Sequence, residues 1–132
     1  MNKNANHTNR GEFLHKEITQ AIIGAAFEVQ KHLGYGFLEK VYQRAMQVEL
    51  HQRGLQAALE HPIKVHYKGV VVGDYAADLF VEEKVIVELK VAPEYCAADE
   101  AQLINELVST GVKVGLLINF GRARVEFKRL VH

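Results

Sequence analysis

The sequence predicts a single α/β domain in which a mixed β-sheet is flanked by helices on both faces. Three observations point to this class. Apolar residues recur at three- and four-residue steps over residues 14–33, alternate with polar residues over 63–67, and are consecutive over 114–118. The first pattern is typical of a helix, the second of a half-exposed strand, and the third of a strand covered on both faces. A chain of 132 residues suits one core better than two.

Two helices are predicted in the first part of the chain. Residues 1–11 are polar and Asn-rich and are expected to form a flexible arm, so that residues 12–132 make up the domain. Asn9, with Glu12 three positions later, predicts the first helix start, and this helix should end before Gly34. A second helix is predicted over about 38–53, with Gly54 as its stop.

The hydrophobic period then changes to two, which predicts an antiparallel meander of three strands. Its apolar runs are 63–67, 70–72, 75–81 and 85–91, with turns at 68–69 and 82–84. After Pro93 the pattern predicts a helix over about 98–110, a buried strand at 114–118 and a last strand over about 123–130. Helices, a meander, another helix and two more strands predict a sheet sandwiched by helices.

Composition and charge exclude several classes of protein. The chain has 16 Lys and Arg residues and 16 Asp and Glu residues. This balance excludes a protein that binds nucleic acid through an overall positive charge, so any basic surface must be local. A hydrophobic share of 48% excludes wholesale disorder. Cys96 is the single cysteine and cannot form an internal disulfide, and no stretch approaches the roughly 18 apolar residues of a membrane span. We therefore expect a cytoplasmic, soluble protein without membrane contact.

Three charged residues of the predicted meander, Asp78, Glu88 and Lys90, are the main candidates for a functional site. Glu88 and Lys90 are two apart on a strand and therefore project from the same face. If the hairpin loop is the three residues 82–84, Val81 pairs with Val85 and Asp78 lies directly opposite Glu88. A loop of two or four residues would instead put the two carboxylates on opposite faces.

Two like charges facing each other across a strand pair destabilise a sheet by roughly 0.2–1 kcal/mol, and burial adds a larger desolvation cost. A divalent cation removes both penalties, and Mg²⁺ prefers one or two carboxylates with several waters. Apolar neighbours expected on the same face, Ala76, Phe80 and Ile86, favour a site shielded from solvent. The alternative is that Glu and Lys alternating with Val and Leu form only the solvated face of a strand.

Two further segments, together with Asp78 and the Glu88-x-Lys90 pattern, carry a family resemblance. Residues 36–42, Gly-Phe-Leu-Glu-Lys-Val-Tyr, read as G-x-x-E-x-x-Y, and residues 115–121 read Gly-Leu-Leu-Ile-Asn-Phe-Gly. In this order the motifs resemble the GxxExxY protein family of the PD-(D/E)XK nuclease superfamily. The resemblance covers about residues 18–131 and implies a restriction-endonuclease-like fold.

The resemblance implies roles for matching residues. Asp78 and Glu88 would bind Mg²⁺ or Mn²⁺ with the carbonyl of Leu89, and Lys90 would orient the attacking water. Glu39, on the helix before the sheet, resembles an acidic residue that often completes the metal site through water or a second ion. A helix glutamine that commonly lies beside the catalytic core matches Gln102.

The sequence also departs from the pattern of many relatives. Ala76 stands where an arginine is expected, Asp99 where a histidine is frequent, and Glu106 where a tyrosine is frequent. A carboxylate at Glu106 would repel a phosphate substrate. From the residues alone, Tyr42 could equally pack into the core while Glu39 pairs with a lysine or a backbone N–H.

A basic run near the end of the chain offers candidate phosphate contacts. Arg122, Arg124 and Lys128 could bind a DNA or RNA backbone with an affinity that fades as salt rises. Such a run could equally be a solvated edge strand that protects itself from pairing.

These features predict a metal-dependent nuclease that hydrolyses phosphodiester bonds of DNA or RNA. One alternative is a module of the same fold, weak or inactive in catalysis, that binds nucleic acid or a protein partner. Another is an enzyme acting on small phosphate compounds. A homodimer is also open, because so small a nuclease often needs a second copy to grip a duplex.

Overall fold

The structure, a computed structural model, describes residues 13–132. The predicted flexible arm, and the helix start predicted at Asn9 and Glu12, lie outside these residues. The elements in chain order are α1 Lys16–Leu33, α2 Glu39–Gln52, β1 Ala57–Tyr67, β2 Val70–Val81, β3 Val85–Lys90, α3 Ala97–Thr110, β4 Val114–Asn119 and β5 Glu126–Val131. Within the described part of the chain, none of the helices is both long and apolar enough to cross a bilayer.

Five strands form one mixed sheet in the order β1-β2-β3-β4-β5. The pairs β1–β2, β2–β3 and β4–β5 are antiparallel, which confirms the predicted meander, whereas β3 and β4 run parallel. A parallel pair needs a crossover connection, and α3 supplies it between β3 and β4. As a result the carboxyl ends of β3 and β4 lie side by side at one end of the sheet, which we call the carboxyl edge.

Helices cover the sheet on both faces, as the apolar patterns predict. The larger cluster buries α1 and α2 against one face, and the smaller cluster packs α3 against the other. β3 and β4 are buried almost throughout because they lie between these two layers. The central side chains of the smaller cluster are Ile63, Ala77, Ile86, Leu103, Leu107 and Leu117.

The predicted starts of two strands, β1 and β5, were wrong. β1 begins at Ala57 and runs through Pro62, because β1 is an edge strand and an outward-facing proline there breaks no ladder hydrogen bond. The runs 70–72 and 75–81 form one continuous strand, whose register shifts opposite Val65 and His66. The last strand begins at Glu126, three residues later than predicted, because residues 121–125 form a bend.

Tyr42 connects the helices to the carboxyl edge of the sheet. It is fully buried, stacks on Phe120 with ring centroids 4.5 Å apart, and donates a hydrogen bond to the carbonyl of Gly34 at 2.8 Å. The hydroxyl therefore fixes the connection between α1 and α2, where Gly34 and Gly36 both have positive φ. The core role that the sequence left open for Tyr42 is confirmed.

The glycine that closes the 115–121 motif allows two chain segments to touch. A side chain at Gly121 would place its Cβ 2.3 Å from the carbonyl oxygen of Ala92. The Asn119 amide bonds the N–H and the C=O of Ala92, at 3.1 and 2.8 Å. These contacts hold the chain leaving β3 against the chain leaving β4 and so stiffen the edge that carries Lys90.

We expect Tyr42→Phe to lower the free energy of unfolding by about 1 kcal/mol, because it leaves the Gly34 carbonyl without its donor and removes the longer bond that the hydroxyl accepts from the N–H of Phe37. Urea unfolding followed by circular dichroism measures the change. Tyr35→Phe is the matched control, since Tyr35 lies in the same connection with 63% of its surface exposed. Equal stability of the two variants would contradict the anchoring role of the Tyr42 hydroxyl.

Candidate active site

Asp78 and Glu88 lie where β2 and β3 separate. The ladder between these strands contains only Val81↔Val85, Phe80↔Ile86 and Leu79↔Val87, which confirms the predicted three-residue loop and register. Beyond Leu79 each carboxylate replaces a ladder bond. Glu88 Oε1 accepts the backbone N–H of Asp78 at 2.8 Å, and Asp78 Oδ2 accepts the N–H of Leu89 at 2.7 Å. We call this opening, lined by Asp78 and Glu88, the strand gap.

A change of pleat next to the strand gap explains why the ladder ends there. On β2, Leu79 packs into the core under α1 and α2, yet Ala77, two residues away, packs into the cluster under α3. On β1, Leu59 and Ile63 differ in the same way, and Glu60 between them has φ 53. Regular alternation would keep each pair on one face. The expectation that Ala76 lies beside Ile86 was therefore wrong.

The first turn of α2 brings Glu39 to one side of the strand gap. Its carboxyl lies within hydrogen-bonding distance of that of Asp78. Gln43, one turn later on the same helix face, donates its amide to the carbonyl oxygen of Asp78 at 2.9 Å and to Glu60 Oε1 at 3.0 Å. Gln43 is buried, so this amide fixes the backbone of Asp78 from the side of α2.

Helix α3 brings Glu106 to the other side of the strand gap. The Glu106 side chain is buried, and its carboxyl lies within hydrogen-bonding distance of the Glu88 carboxyl. Gln102, one turn earlier, donates to Glu106 Oε2 at 3.3 Å. The structure therefore connects Gln102 to Glu88 through Glu106 rather than directly.

Lys90 supplies a positive charge at the mouth of the strand gap. Its Nζ lies 3.6 Å from Asp99 Oδ1 on α3. The charge of Lys90 also partly offsets the rise in the pKa of Glu39, Asp78 and Glu106, so the ammonium group lies among these acids. The structure thus brings Glu39, Asp78, Glu88 and Lys90 together.

The family is decided by comparison with known sequences. A sequence model of the PD-(D/E)XK nuclease superfamily matches residues 16–130. The chain belongs to the PD-(D/E)XK nuclease superfamily. Its five-stranded mixed sheet with helices on both faces is restriction-endonuclease-like, as the resemblance implied.

A likeness to a solved structure agrees with this fold. The crystal structure of SSO0001 superposes with a TM-score of 0.53 at 14% identity, covering 93% of this chain and 62% of that one. This chain therefore spans less than two thirds of the length of SSO0001, and at this identity the likeness shows the fold alone. No curated protein matches the sequence.

The acids around the strand gap outnumber the positive charge of Lys90. Burial raises the pKa of Glu39, Asp78 and Glu106, and it raises the pKa of Glu88 to about 9. Neighbouring carboxylates add to the rise: Asp78 acts on Glu39, and Glu106 acts on Glu88. Each of these groups favours a positive neighbour, whether that neighbour is a proton or a cation.

The donor set suits a hard divalent cation. Carboxylate oxygens are the ligands that Mg²⁺ prefers, and one buried oxygen here, Glu106 Oε1, has no hydrogen-bond partner among the described residues. Across residues 13–132, no three or more Asp, Glu, His or Cys side chains are already grouped so that they could hold a metal ion. Instead, one oxygen of Asp78 and one of Glu88 bind backbone N–H groups.

The predicted nucleic-acid contacts surround the same edge of the sheet. Arg122 and Arg124 are exposed in the bend after β4, at the carboxyl edge. Lys128 lies opposite Leu117, which in turn lies opposite Glu88, so Lys128 and Glu88 are two strands or about 10 Å apart. Two of the three cations are in ion pairs: Arg122 with Glu126 at 3.5 Å, and Lys128 with Glu100 at 2.8 Å.

Sequence reasoning missed two members of the site and misjudged two more. Gln43 and Glu60 carried no signal, since nothing local marks an amide on a helix or an acid on an edge strand as a partner of Asp78. Asp99 and Glu106 were interpreted only as departures from the relatives. For Glu106, the spacing could have indicated a role. Gln102 and Glu106 are one helical turn apart, so a helix that directs one side chain towards the site directs both.

We expect the metal-free protein to lose stability as the pH rises from about 4.5 towards 9. The raised pKa of Glu88 means that the folded state retains a proton which the unfolded chain releases, so the free energy of unfolding falls with rising pH. The loss should be on the order of a few kcal/mol, and Glu88→Gln should reduce it. Urea unfolding at several pH values in chelator measures it, with exposed Glu94→Gln as control. A pH dependence that Glu88→Gln leaves unchanged would contradict this assignment.

Proposed function

We propose that the protein is a metal-dependent nuclease that hydrolyses phosphodiester bonds of DNA or RNA. The observation that carries the proposal is the convergence of Asp78, Glu88 and Glu39 with the Lys90 ammonium group at the strand gap. Membership of the PD-(D/E)XK superfamily supports it. We also assign the chain to the GxxExxY family, because Tyr42 anchors the turn that presents Glu39.

The cation would be Mg²⁺ or Mn²⁺, held by the carboxylates of Asp78 and Glu88, the carbonyl of Leu89 and, on the α2 side, Glu39. A bound divalent cation supplies charge neutralisation at the phosphate and lowers the pKa of water. The protein's own contribution is positional. Because Asp78 and Glu88 are held by the backbone of the opposite strand, neither needs to reorganise when a substrate arrives.

Lys90 is the group that orients the attacking water or holds a phosphate oxygen. Its ammonium nitrogen has three donors, and at 3.6 Å the contact with Asp99 is long enough to leave some of them for substrate. Asp99 thereby keeps the side chain at the mouth of the gap. Gln102, which the resemblance places beside the catalytic core, acts in this proposal as a positioning residue through Glu106.

Substrate would approach across the carboxyl edge, where Arg122, Arg124 and Lys128 contact the phosphate backbone. To bind a phosphate, Arg122 and Lys128 must each give up an ion pair with a glutamate. The net gain in binding free energy is small, because ion pairs this exposed contribute little. Affinity should therefore be modest and strongly dependent on salt. We further propose a cytoplasmic location, since the exposed free thiol of Cys96 suits a reducing compartment.

The second candidate function is a module of the same fold that binds nucleic acid or a protein partner without efficient turnover. The observation that favours it is the surplus of acid: Glu60, Asp99 and Glu106 add negative charge beside the position that a phosphate would occupy. A second copy of the chain could supply the missing positive surface, which makes a homodimer part of this candidate.

We expect cleavage of DNA or RNA only with Mg²⁺ or Mn²⁺. The rate of cleavage should fall about 100-fold or more in Lys90→Ala, which is typical of removing a positioned catalytic group. Single- and double-stranded forms of both nucleic acids, incubated with metal or with chelator and resolved on gels, measure this. Lys113→Ala is the matched control, because Lys113 is exposed at the opposite end of β4. Binding without cleavage in the wild type would favour the module instead.

We also expect Mn²⁺ to raise the melting temperature of the wild type by several degrees, because a ligand at 100 times its Kd adds about 2.7 kcal/mol to stability. Asp78→Asn should lose most of this rise, since it removes one proposed ligand. Asp74→Asn is the control, because Asp74 is an exposed acid on the same strand, paired with Lys64. An equal rise in all three proteins would contradict the assignment of Asp78.

A further inference from the structure

Glu106 is a buried carboxylate with an unmet requirement for positive charge. Only 3% of the residue is exposed, and its Oε1 has no hydrogen-bond partner within residues 13–132. The other oxygen, Oε2, accepts the Gln102 amide at 3.3 Å. A buried acceptor without a donor costs on the order of 1–3 kcal/mol, and more when the group is charged. A fold that tolerates this arrangement normally has a partner for the free oxygen.

The group that Glu106 faces cannot supply a donor while it is ionised. The Glu88 carboxyl lies within hydrogen-bonding distance of Glu106, and its Oε1 already accepts the N–H of Asp78. Two carboxylates present only acceptors to each other. Lys90 resolves the conflict only in part: its charge lowers the raised pKa of Glu106, but its ion pair is with Asp99. A proton or a cation at the contact between Glu88 and Glu106 would therefore stabilise it.

Glu106 approaches the strand gap from a different side than the acids around Asp78. Among the acids that act on the pKa of Asp78 are Glu60 and Glu39, on the side of β1 and α2. Glu106 reaches Glu88 from α3, on the opposite face of the sheet. Glu88 thus stands between two groups of carboxylates rather than forming an isolated pair with Asp78.

We propose that Glu106 is a metal ligand that, together with Glu88, binds a divalent cation of the Mg²⁺ or Mn²⁺ class. This inference rests on the proposed function in one respect, that Glu88 is a metal ligand. Two carboxylates complemented by water satisfy such an ion. Gln102 holds Oε2 and leaves Oε1 free for the ion, the role of an outer residue that orients a ligand. The rival occupant is a single proton shared by the two carboxyls.

Titration with Mn²⁺, followed by calorimetry and by the paramagnetic resonance of free Mn²⁺, tests the proposal without measuring catalysis. Glu106→Gln should bind Mn²⁺ about tenfold more weakly or worse. Glu100→Gln, which removes the same charge from the same helix at a residue paired with Lys128, should bind within about twofold of the wild type. Binding by Glu106→Gln as tight as the wild type, or tighter, would overturn the proposal and favour the shared proton.

The same titration separates this inference from the proposed function. Wild-type protein that binds no Mn²⁺ overturns both. Wild-type binding that Asp78→Asn weakens and Glu106→Gln does not leaves the nuclease proposal standing and removes only the role of Glu106.

Melting in chelator checks that each variant is folded. Glu106→Gln should melt no lower than the wild type, because it replaces a charge repulsion by an amide that can donate to Glu88. If that variant does not fold, Glu106→Asp keeps the charge but withdraws the carboxylate by one methylene. Several-fold weaker Mn²⁺ binding by Glu106→Asp supports the proposal, and unchanged binding overturns it.

Discussion

The site depends on one structural constraint, the early end of the ladder between β2 and β3. Past Leu79 and Val87 the strands separate, and two carboxylates bind the backbone N–H groups that the ladder would have used. Asp78 and Glu88 are thereby positioned by the main chain of the opposite strand, not by flexible side-chain contacts. The same arrangement buries both groups between helices, where the charged forms are poorly solvated. The end of the ladder thus both positions the two carboxylates and makes their charged forms unfavourable.

The surrounding elements tolerate this charge instead of removing it. Gln43 satisfies the carbonyl of Asp78, Asp99 retains Lys90 near the acids, and Gln102 satisfies one oxygen of Glu106. None of these contacts neutralises the carboxylates themselves. A domain this small has only a modest reserve of stability, so buried acids without counter-charge are a substantial fraction of it. Such a cost is typical of sites arranged for a ligand and not for the unliganded fold.

The fold and part of the site could be predicted from sequence because their determinants are local. A three-residue loop sets the register of a hairpin, and the alternation of residues 85–90 places Glu88 and Lys90 on one face. The change of pleat at Glu60 and Asp78 could not be predicted, because it requires both strands to distort together against different layers. The partners Gln43 and Glu106 come from helices 35 and 18 residues distant in sequence from the acids they contact, and periodicity does not encode such pairing.

The position of Glu106 changes the meaning of its departure from the family pattern. A tyrosine, which the resemblance leads one to expect there, carries a hydroxyl that can donate to the Glu88 carboxylate and leave it charged. Glutamate in the same place offers only acceptors, so the donor is lost and a second negative charge is added. The two residues therefore impose opposite requirements on Glu88: a tyrosine would satisfy it within the protein, whereas glutamate adds a charge that Lys90 only partly offsets. Because Gln102 already occupies Oε2, Oε1 is the oxygen of Glu106 that is free for the cation we propose.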